Sequence, residues 1–154
     1  VRIPNQYVMD FIKERQEWIV QKWFMMVERR RQEEARPVKD YEKDSELEKL
    51  YRKKAKKQLE NRCAYFAERM AVDYNRIAVR AAKTRWGSCS AQGNLNFHWK
   101  LVLMPPEILD YVVVHELAHR KEMNHSERFW AEVERILPDY RARRKWLKEF
   151  GSRV

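Results

Sequence analysis

Cysteine, glycine and long apolar runs are scarce in this chain. Its 154 residues include two cysteines, Cys63 and Cys89, which are too few for the disulfide framework of a small secreted domain. The three glycines are too few for a glycine-rich phosphate-binding loop. No apolar run approaches the roughly 20 residues that a membrane span needs, and no signal peptide opens the chain. These absences predict a cytoplasmic protein with reduced thiols and no membrane segment.

Length and charge are those of one domain with a basic surface. The 154 residues suffice for a single core, so we expect one domain over 1–154, with a long helix and linker at 1–40 and a core at 41–154. The first residue is valine, as in a trimmed fragment or short variant. The 33 lysines and arginines exceed the 23 aspartates and glutamates, which gives a net charge of +10. Such a balance suits nucleic acid or acidic substrates, or it is ordinary solvated helix surface.

One stretch carries the chemistry of a metal site. Residues 111–119 contain the pattern H-E-x-x-H. An α-helix turns about 100° per residue, so His115 and His119 share one face with converging rings, as two ligands of one tetrahedral zinc require. Glu116 projects beside the ion, where it can polarise the attacking water and carry its proton to a leaving group. The alternative is a chance match, but the apolar run before His115 predicts burial, where these polar groups need partners.

A catalytic zinc usually has three protein ligands and one water, so a third ligand is needed. His125 is the leading candidate, because the chain can leave the helix after His119 and fold back toward the ion. A glutamate from the following helix, Glu132 or Glu134, is the alternative. We interpret His98, on a predicted strand, as a surface or satisfied side chain.

The spacing of the three histidines equals that of the metzincin pattern H-E-x-x-H-x-x-G-x-x-H. Glu122 stands where that pattern has glycine. Because the tight turn that glycine allows is not predicted here, we do not assign the chain to the metzincins.

Hydrophobic periodicity predicts the elements that surround this stretch. Helices are predicted over 1–35 and 45–72, strands over 77–82 and 94–103, and a turn-rich connection over 84–90. A helix that starts at Pro105-Pro106 carries H-E-x-x-H and ends near Met123-Asn124, and two further helices follow, with Ser126 as a cap and Pro138-Asp139 between them. The predicted fold class is α+β: a mainly helical zincin-like domain with a small antiparallel or mixed sheet, two long N-terminal helices and an HExxH active-site helix.

Three motifs together resemble a known family. They are T-R-W-G-S-C-S at 84–90, D-Y-V-V-V-H-E-L-A-H at 110–119, and N-H-S at 124–126 with the following F-W at 129–130. In these motifs, and over about residues 45–150, the chain resembles the YgjP-like metal-dependent hydrolases, predicted zinc metallopeptidases related to the WLM and SprT-like groups. Many members carry a β-rich segment ahead of the long helices, which this chain lacks.

The resemblance implies a site and a cofactor. The metal ligands of the family fall on His115, His119 and His125, and its catalytic glutamate falls on Glu116. One catalytic Zn²⁺ is the expected cofactor. The resemblance therefore implies a hydrolase in which a zinc-activated water attacks a peptide bond with Glu116 as general base.

Other residues near the motif have two interpretations each. The turn at 86–89 is structural with Trp86 in the core, or its backbone and Cys89 lie at the rim of the cleft, where Cys89 could act as a zinc-blocking thiol. Tyr111 packs in the core or assists the oxyanion. We predict that residues 94–99 bind an extended peptide substrate by adding it to the sheet.

Three functions fit the sequence. The first is a zinc metallopeptidase with peptide or protein substrates. The second is a metal-dependent hydrolase of nucleotides or other phosphates, held by Arg80, Lys83 and Arg85. The third is a DNA-associated, SprT-like protease module, suggested by analogy and by the basic segments 52–57 and 141–148. The oligomeric state stays open.

Overall fold

The computed structural model describes residues 20, 23–27, 45–82, 84–151 and 154. The chain separates into two units, Val1–Val38 and Lys39–Val154. In the first unit, residue 20 and residues 23–27 are helical, and the buried Phe24 meets the Trp23 ring edge-on at 5.2 Å between centroids. The rest of the predicted N-terminal helix and its linker lies outside the described residues. The division into domains stays a prediction.

The second unit begins with a long helix, α1, over Ser45–Met70. Its bounds agree closely with the predicted 45–72. The buried positions recur at helical spacing and form one stripe: Ala55, Leu59, Cys63, Phe66, Ala67 and Met70. Ala71 ends the helix with a left-handed φ of 51°. The Val72 amide bonds to the Ala67 carbonyl and the Ala71 amide to the Glu68 carbonyl, the pattern of a Schellman motif.

A small mixed sheet follows, as predicted, but it has three strands where the sequence predicted two. The strands are β1 (Arg76–Arg80), β2 (Gly87–Cys89) and β3 (Asn94–His98), in the spatial order β1-β3-β2. β1 runs parallel to β3, and β2 runs antiparallel to it. Leu95 and Phe97 turn one face of β3 into the core.

Two predictions about this region are wrong. The stretch 84–90 is not only a turn, because β2 lies within it. The strand predicted over 94–103 stops at His98, and a 3₁₀ helix covers Trp99–Leu103. His98 causes the change, since its Nδ1 accepts the Lys100 backbone N–H at 3.1 Å and so caps the turn. Trp99 and Leu101 remain buried in the new conformation.

The helix that carries H-E-x-x-H, α2, covers Pro106–Ala118 and starts at the predicted prolines. It is apolar almost all round, with nine buried residues, because α1, β2, the 3₁₀ helix and the C-terminal helices surround it. Arg62 of α1 holds α2 in place by donating two hydrogen bonds, 2.6 and 2.7 Å long, to the Asp110 carboxylate.

The predicted end of α2 near Met123-Asn124 is wrong, since the helix stops at Ala118. Beyond it the Arg120 and Lys121 amides bond three residues back, to the Leu117 and Ala118 carbonyls, which tightens the chain out of the α-helical path. The chain then bends toward α3.

Two shorter helices close the unit. α3 covers Glu127–Ile136, and Ser126 caps it as predicted, since its Oγ accepts the Phe129 N–H at 3.3 Å. α4 covers Tyr140–Phe150 and begins after the break at Pro138. Among the described residues, no helix is both long and apolar enough to cross a membrane.

Candidate metal centre

Three imidazoles converge where α2 ends. His115 lies in the last turn of α2, His119 is the residue that follows the helix, and His125 lies in the bend before α3. One nitrogen from each ring can be chosen so that all three lie within 4.8 Å of one another. The Nε2 atoms of His115 and His125 are 3.0 Å apart. The i, i+4 spacing places the first two rings, and the bend adds the third.

This donor set fits a single metal ion. Two nitrogens on a tetrahedral ion with bonds of about 2.0–2.1 Å lie roughly 3.3 Å apart, close to the separation of the His115 and His125 nitrogens. Burial, reinforced by the neighbouring imidazoles, lowers the pKa of His115 to about 3. That ring is therefore neutral, as a metal ligand must be. Nδ1 of His119 donates to the Glu122 carbonyl at 3.1 Å, which leaves Nε2 to face the cluster.

The bend between His119 and His125 needs no glycine. Among the described residues, the one non-glycine residue with positive φ is Ala71, so Glu122 has an ordinary backbone conformation. The hydrogen bond from the His119 ring to the Glu122 carbonyl, and a 2.8 Å bond from the Ser126 amide to the Asn124 carbonyl, hold the turn. Glutamate at this position therefore does not prevent the return of the chain.

Phe129 and Trp130 of α3 pack against the imidazole rings. The Phe129 centroid lies 4.6–4.9 Å from all three imidazole centroids, and Phe129 is fully buried. Trp130 stacks on His125 at 5.7 Å and 23°. The sequence predicted both residues as the buried stripe of a helix and missed this role. The available signal was their position three and four residues after the helix cap.

Glu116 faces the same space from a buried position, with 5% of its surface exposed. Burial raises the pKa of Glu116 to about 8, and the charge of Arg85 opposes this rise. A pocket of about 310 Å³ brings Glu116 together with the three imidazoles and with β2. A Cβ on Gly87 would stand 2.5 Å from the Glu116 Oε1, so the absence of a side chain there makes room for the carboxylate.

The alternative third ligands lie outside the cluster. The Glu132 carboxylate accepts hydrogen bonds from Lys121 at 2.8 Å and from Arg135 at 2.7 Å. These two cations lower the pKa of the carboxyl group. Glu134 pairs with Arg141 at 3.4 Å. Within the described residues, the one group of potential ligands contains neither glutamate.

Comparison with known families agrees with this geometry. A family model described as the YgjP-like metallopeptidase domain matches residues 25–150. This chain belongs to the YgjP-like metallopeptidase family. The family that the three motifs resemble is thereby confirmed, and the chain is a metal-dependent peptidase. Members use a divalent metal ion, for which the imidazole cluster offers the donor set.

A solved structure supports the fold of this YgjP-like chain. It is similar to the metallopeptidase zymogen of Pyrococcus abyssi abylysin, with 23% identity and a TM-score of 0.53 over 61% of this chain and 93% of that one. The likeness covers the fold alone. A search of curated proteins gives no match.

Trp86 does not lie in the core, and that interpretation was wrong. Its side chain is half-buried and meets the His98 ring at 5.1 Å between centroids, in the wall of a cleft. His98 is a satisfied side chain through its bond from the Lys100 amide, as expected. Trp86 therefore contributes part of its surface to the cleft beside the YgjP-like site.

Cys89 and Tyr111 each lie beside the centre, in different cavities. Cys89 is half-buried in the pocket that Glu116 lines, and burial raises the pKa of its thiol. Within the described residues, Cys89 is not part of the potential ligand cluster. Tyr111 packs in the core with 4% of its surface exposed, and its ring centroid lies 5.9 Å from that of His115.

β3 cannot add a substrate strand, so the prediction for 94–99 is wrong. β1 pairs with β3 on one side and β2 on the other. Within the described residues no strand pairs with the outer edge of β2, which lies next to the centre. The His98 amide bonds to the Trp86 carbonyl and the Ser90 amide to the Asn94 carbonyl, 2.8 and 3.0 Å long. Because antiparallel ladders alternate, the backbone groups of residues 87 and 89 point away from β3.

Cationic side chains line a larger cleft beside the YgjP-like centre. This cationic cleft has a volume of about 930 Å³ and includes Arg85, Lys100, Arg144 and Lys148. Of the two described residues proposed from sequence to hold phosphate, Arg85 lies here and Arg80 does not. Arg80 bonds to Asn96 on the sheet at 3.3 Å, and Lys83 lies outside the described residues.

Proposed function

We propose that this protein is a zinc metallopeptidase in which His115, His119 and His125 hold one catalytic ion and Glu116 moves the proton. The convergence of three imidazoles beside a buried glutamate carries the proposal. The donor set favours zinc, since three neutral imidazoles with a fourth position left to water are a common catalytic zinc site.

When bound, the metal would supply a positive charge that lowers the pKa of water and polarises the scissile carbonyl. Glu116 takes the proton that the attacking water gives up and passes it to the nitrogen of the leaving amine. Burial raises the proton affinity of its carboxylate, and Arg85 limits that rise. Gly87 leaves the space in which the carboxylate can turn between the two proton-transfer positions.

The peptide substrate would bind along the outer edge of β2. The outward N–H and C=O groups of Gly87 and Cys89 can pair with an extended chain, and Glu116 lies against this strand. N-methylation of a cleaved peptide, one amide at a time, tests this arrangement. Turnover should fall when every second amide near the scissile bond is methylated and should change little for the amides between them. A uniform response along the peptide would argue against strand addition.

Glu116→Gln is the central test of the mechanism. The variant keeps the size of the side chain and loses the base, so peptidase turnover should fall by about 10²–10⁴-fold while zinc still binds one per chain. Glu122→Gln is the matched control, because Glu122 contributes its backbone carbonyl to the His119 ring. Full activity in Glu116→Gln would show that Glu116 is not the base. If the variant lost zinc, its lower activity would be explained by the missing metal.

A second candidate function is hydrolysis of nucleotides or other phosphates. The cationic cleft supports it, because arginines and lysines gather beside the metal centre. The zinc-loaded protein and Glu116→Gln should be assayed with unstructured peptides and with nucleoside triphosphates. Glu116-dependent release of phosphate or pyrophosphate, without peptide cleavage, would favour this candidate over the first.

The hypothesis of a DNA-associated module stays a prediction. Its basic segments form intrahelical or neighbouring ion pairs at several positions, including Arg52 with Glu48, Lys56 with Glu60 and Arg141 with Glu134. These pairs reduce the charge available to a phosphate backbone. DNA binding that strengthens steeply as salt is lowered would support the hypothesis.

A further inference from the structure

The lining of the cationic cleft is unbalanced in charge. Arg85, Lys100, Arg144 and Lys148 line it, and among the described residues Glu48 is the one acidic residue in the lining. Its walls also include Trp86, Trp99 and Tyr111. Arg85, Arg144 and Lys148 are exposed and Lys100 is half-buried, so these charges can attract an anionic group that enters the cleft from solvent.

Three of these cations have no carboxylate partner within the described part of the chain. Arg85 and Lys148 form no ion pair there, whereas Arg141 and Arg143 on the same helix as Lys148 are paired with Glu134 and Asp139. Arg144 also lacks a carboxylate and instead lies over the Trp130 ring, 4.6 Å from its centroid. Arg144 and Lys148 are four residues apart, so one face of α4 presents both charges to the cleft.

The cleft borders the proposed catalytic centre. A smaller pocket of about 210 Å³ shares Arg85, Trp86 and Tyr111 with the cleft and reaches His115 and Glu116. A peptide that follows the edge of β2 past Gly87 toward Trp86 would therefore pass into the cleft.

We propose that the cationic cleft is a specificity subsite for an acidic side chain of the substrate, within a few residues of the scissile bond. This inference rests on the proposed peptidase function. The carboxylate of a substrate aspartate or glutamate would bind the guanidinium of Arg144 and the ammonium of Lys148, with Arg85 at the boundary to the metal centre.

The cleft suits a carboxylate on a peptide better than a polyphosphate. The three glycines are dispersed, with Gly87 against Glu116, Gly93 against Arg120 and Gly151 against Trp86. They form no loop of backbone amides that could wrap a chain of phosphates. The edge of β2, by contrast, directs an extended peptide toward the cleft.

Isosteric peptide pairs test the proposal. Peptides that differ only by glutamate or glutamine at each position around the cleaved bond should differ in kcat/KM by about tenfold or more at one position. Arg144→Gln and Lys148→Ala should each reduce this preference, and together they should abolish it. Lys145→Ala is the matched control, because Lys145 lies on the same helix and does not line the cleft.

A binding measurement separates recognition from turnover. Zinc-loaded Glu116→Gln should bind a fluorescent glutamate peptide more tightly than its glutamine twin, and the difference should shrink at high salt. Arg144→Glu should reverse the preference toward a lysine peptide of the same sequence. That reversal is an effect that simple loss of folding would not produce.

The outcomes separate the subsite from the activity. Equal cleavage and equal binding of the glutamate and glutamine peptides would overturn the acidic subsite and leave the peptidase intact. A preference that persists in the double variant would overturn it as well, because another surface would then hold the carboxylate. Absence of any peptide cleavage by the zinc-loaded protein, with phosphate release from nucleoside triphosphates that requires Arg144 and Lys148, would overturn both proposals.

Discussion

The helical wall of the site and its strand wall are built in different ways. The helical wall, from His115 to His125, carries the imidazoles and Glu116 on one helix and the bend after it. The strand wall, Arg85 to Cys89, carries a cation, a half-buried tryptophan and the outer edge of β2, which pairs with no strand in the described part of the chain. They meet where Gly87 lies against Glu116. We assign metal binding to the first wall and substrate binding to the second.

The difference between the two walls reflects two geometric requirements, one for binding a metal ion and one for binding an extended substrate. Ligands of one ion must lie within a few ångströms of one another, and a single helix supplies that spacing within one turn. An extended substrate needs backbone groups along a line, which a strand edge supplies. The two walls should therefore fail separately when they are mutated.

The largest expected effect is loss of the metal from the helical wall. His125→Ala would remove one of the three proposed nitrogen ligands, so zinc affinity should fall by more than about 100-fold and activity should fall with it. His98→Ala is the matched control, since His98 is bonded to the Lys100 amide away from the cluster. Competition with a fluorescent zinc chelator measures the affinity. Unchanged zinc binding in His125→Ala would contradict the assigned ligand set.

A substitution at the junction should separate the walls. In Gly87→Ala the new Cβ would stand 2.5 Å from the Glu116 Oε1, so the carboxylate must shift. Displacement of a catalytic group by about 1 Å costs roughly 100-fold in rate, and we expect a loss of that order with zinc affinity unchanged. Steady-state kinetics and zinc titration on the same sample check both.

Gly93→Ala is the contrasting glycine. Gly93 has a φ of +80° and its added Cβ would meet the end of the Arg120 side chain rather than Glu116. The left-handed conformation should cost stability, about 1–2 kcal/mol, with little change in activity below the melting temperature. If Gly87→Ala behaved in the same way, the contact between the two walls would have no catalytic role.

The attachment of α2 to α1 gives a smaller effect. Arg62→Ala removes both bonds to the Asp110 carboxylate, and because Arg62 is partly exposed we expect a loss of about 1–2 kcal/mol in unfolding free energy. Lys49→Ala, which breaks an exposed pair with Glu46, should leave unfolding free energy almost unchanged. Denaturant titration compares the two variants. Equal losses would contradict a role of Arg62 in holding the helical wall.

The smallest expected difference is between the rates at which the thiols of Cys63 and Cys89 are labelled. Cys63 is fully buried in α1, and burial raises its pKa to about 12, so its thiol should react slowly in the folded protein. Cys89 of the strand wall is half-buried in the pocket and should react first. Mass spectrometry of alkylated protein, with Cys89→Ser as control, identifies the labelled residue. Faster labelling of Cys63 would contradict the packing of α1.

The helical wall was predictable from the sequence because its geometry is local. The spacing of His115 and His119 defines a shared helix face, and Ser126 marks the start of the next helix. The end of α2 was misplaced because Arg120, Lys121 and Glu122 are good helix formers with no breaker among them. The turn there depends on hydrogen bonds, including that of the His119 ring, which composition does not reveal.

The strand wall was not predictable because long-range pairing creates it. β2 is three residues long, too short for an alternating pattern, and its register depends on β3. The alternation of apolar and polar residues after Asn94 predicted one long strand. A 3₁₀ helix over its second half also buries Trp99 and Leu101, so the pattern alone does not distinguish the two conformations. The position of Trp86 in the cleft wall follows from that pairing and from no local signal.

X-ray absorption at the zinc edge of the zinc-loaded protein tests the central claim most directly. Three imidazole nitrogens and one water oxygen, at about 2.0–2.1 Å, are the predicted ligands, and His125→Ala should lose one imidazole from the spectrum. A sulfur neighbour from Cys89, a fourth protein ligand, or an unchanged number of imidazoles in His125→Ala would contradict a three-histidine centre with a position open to water.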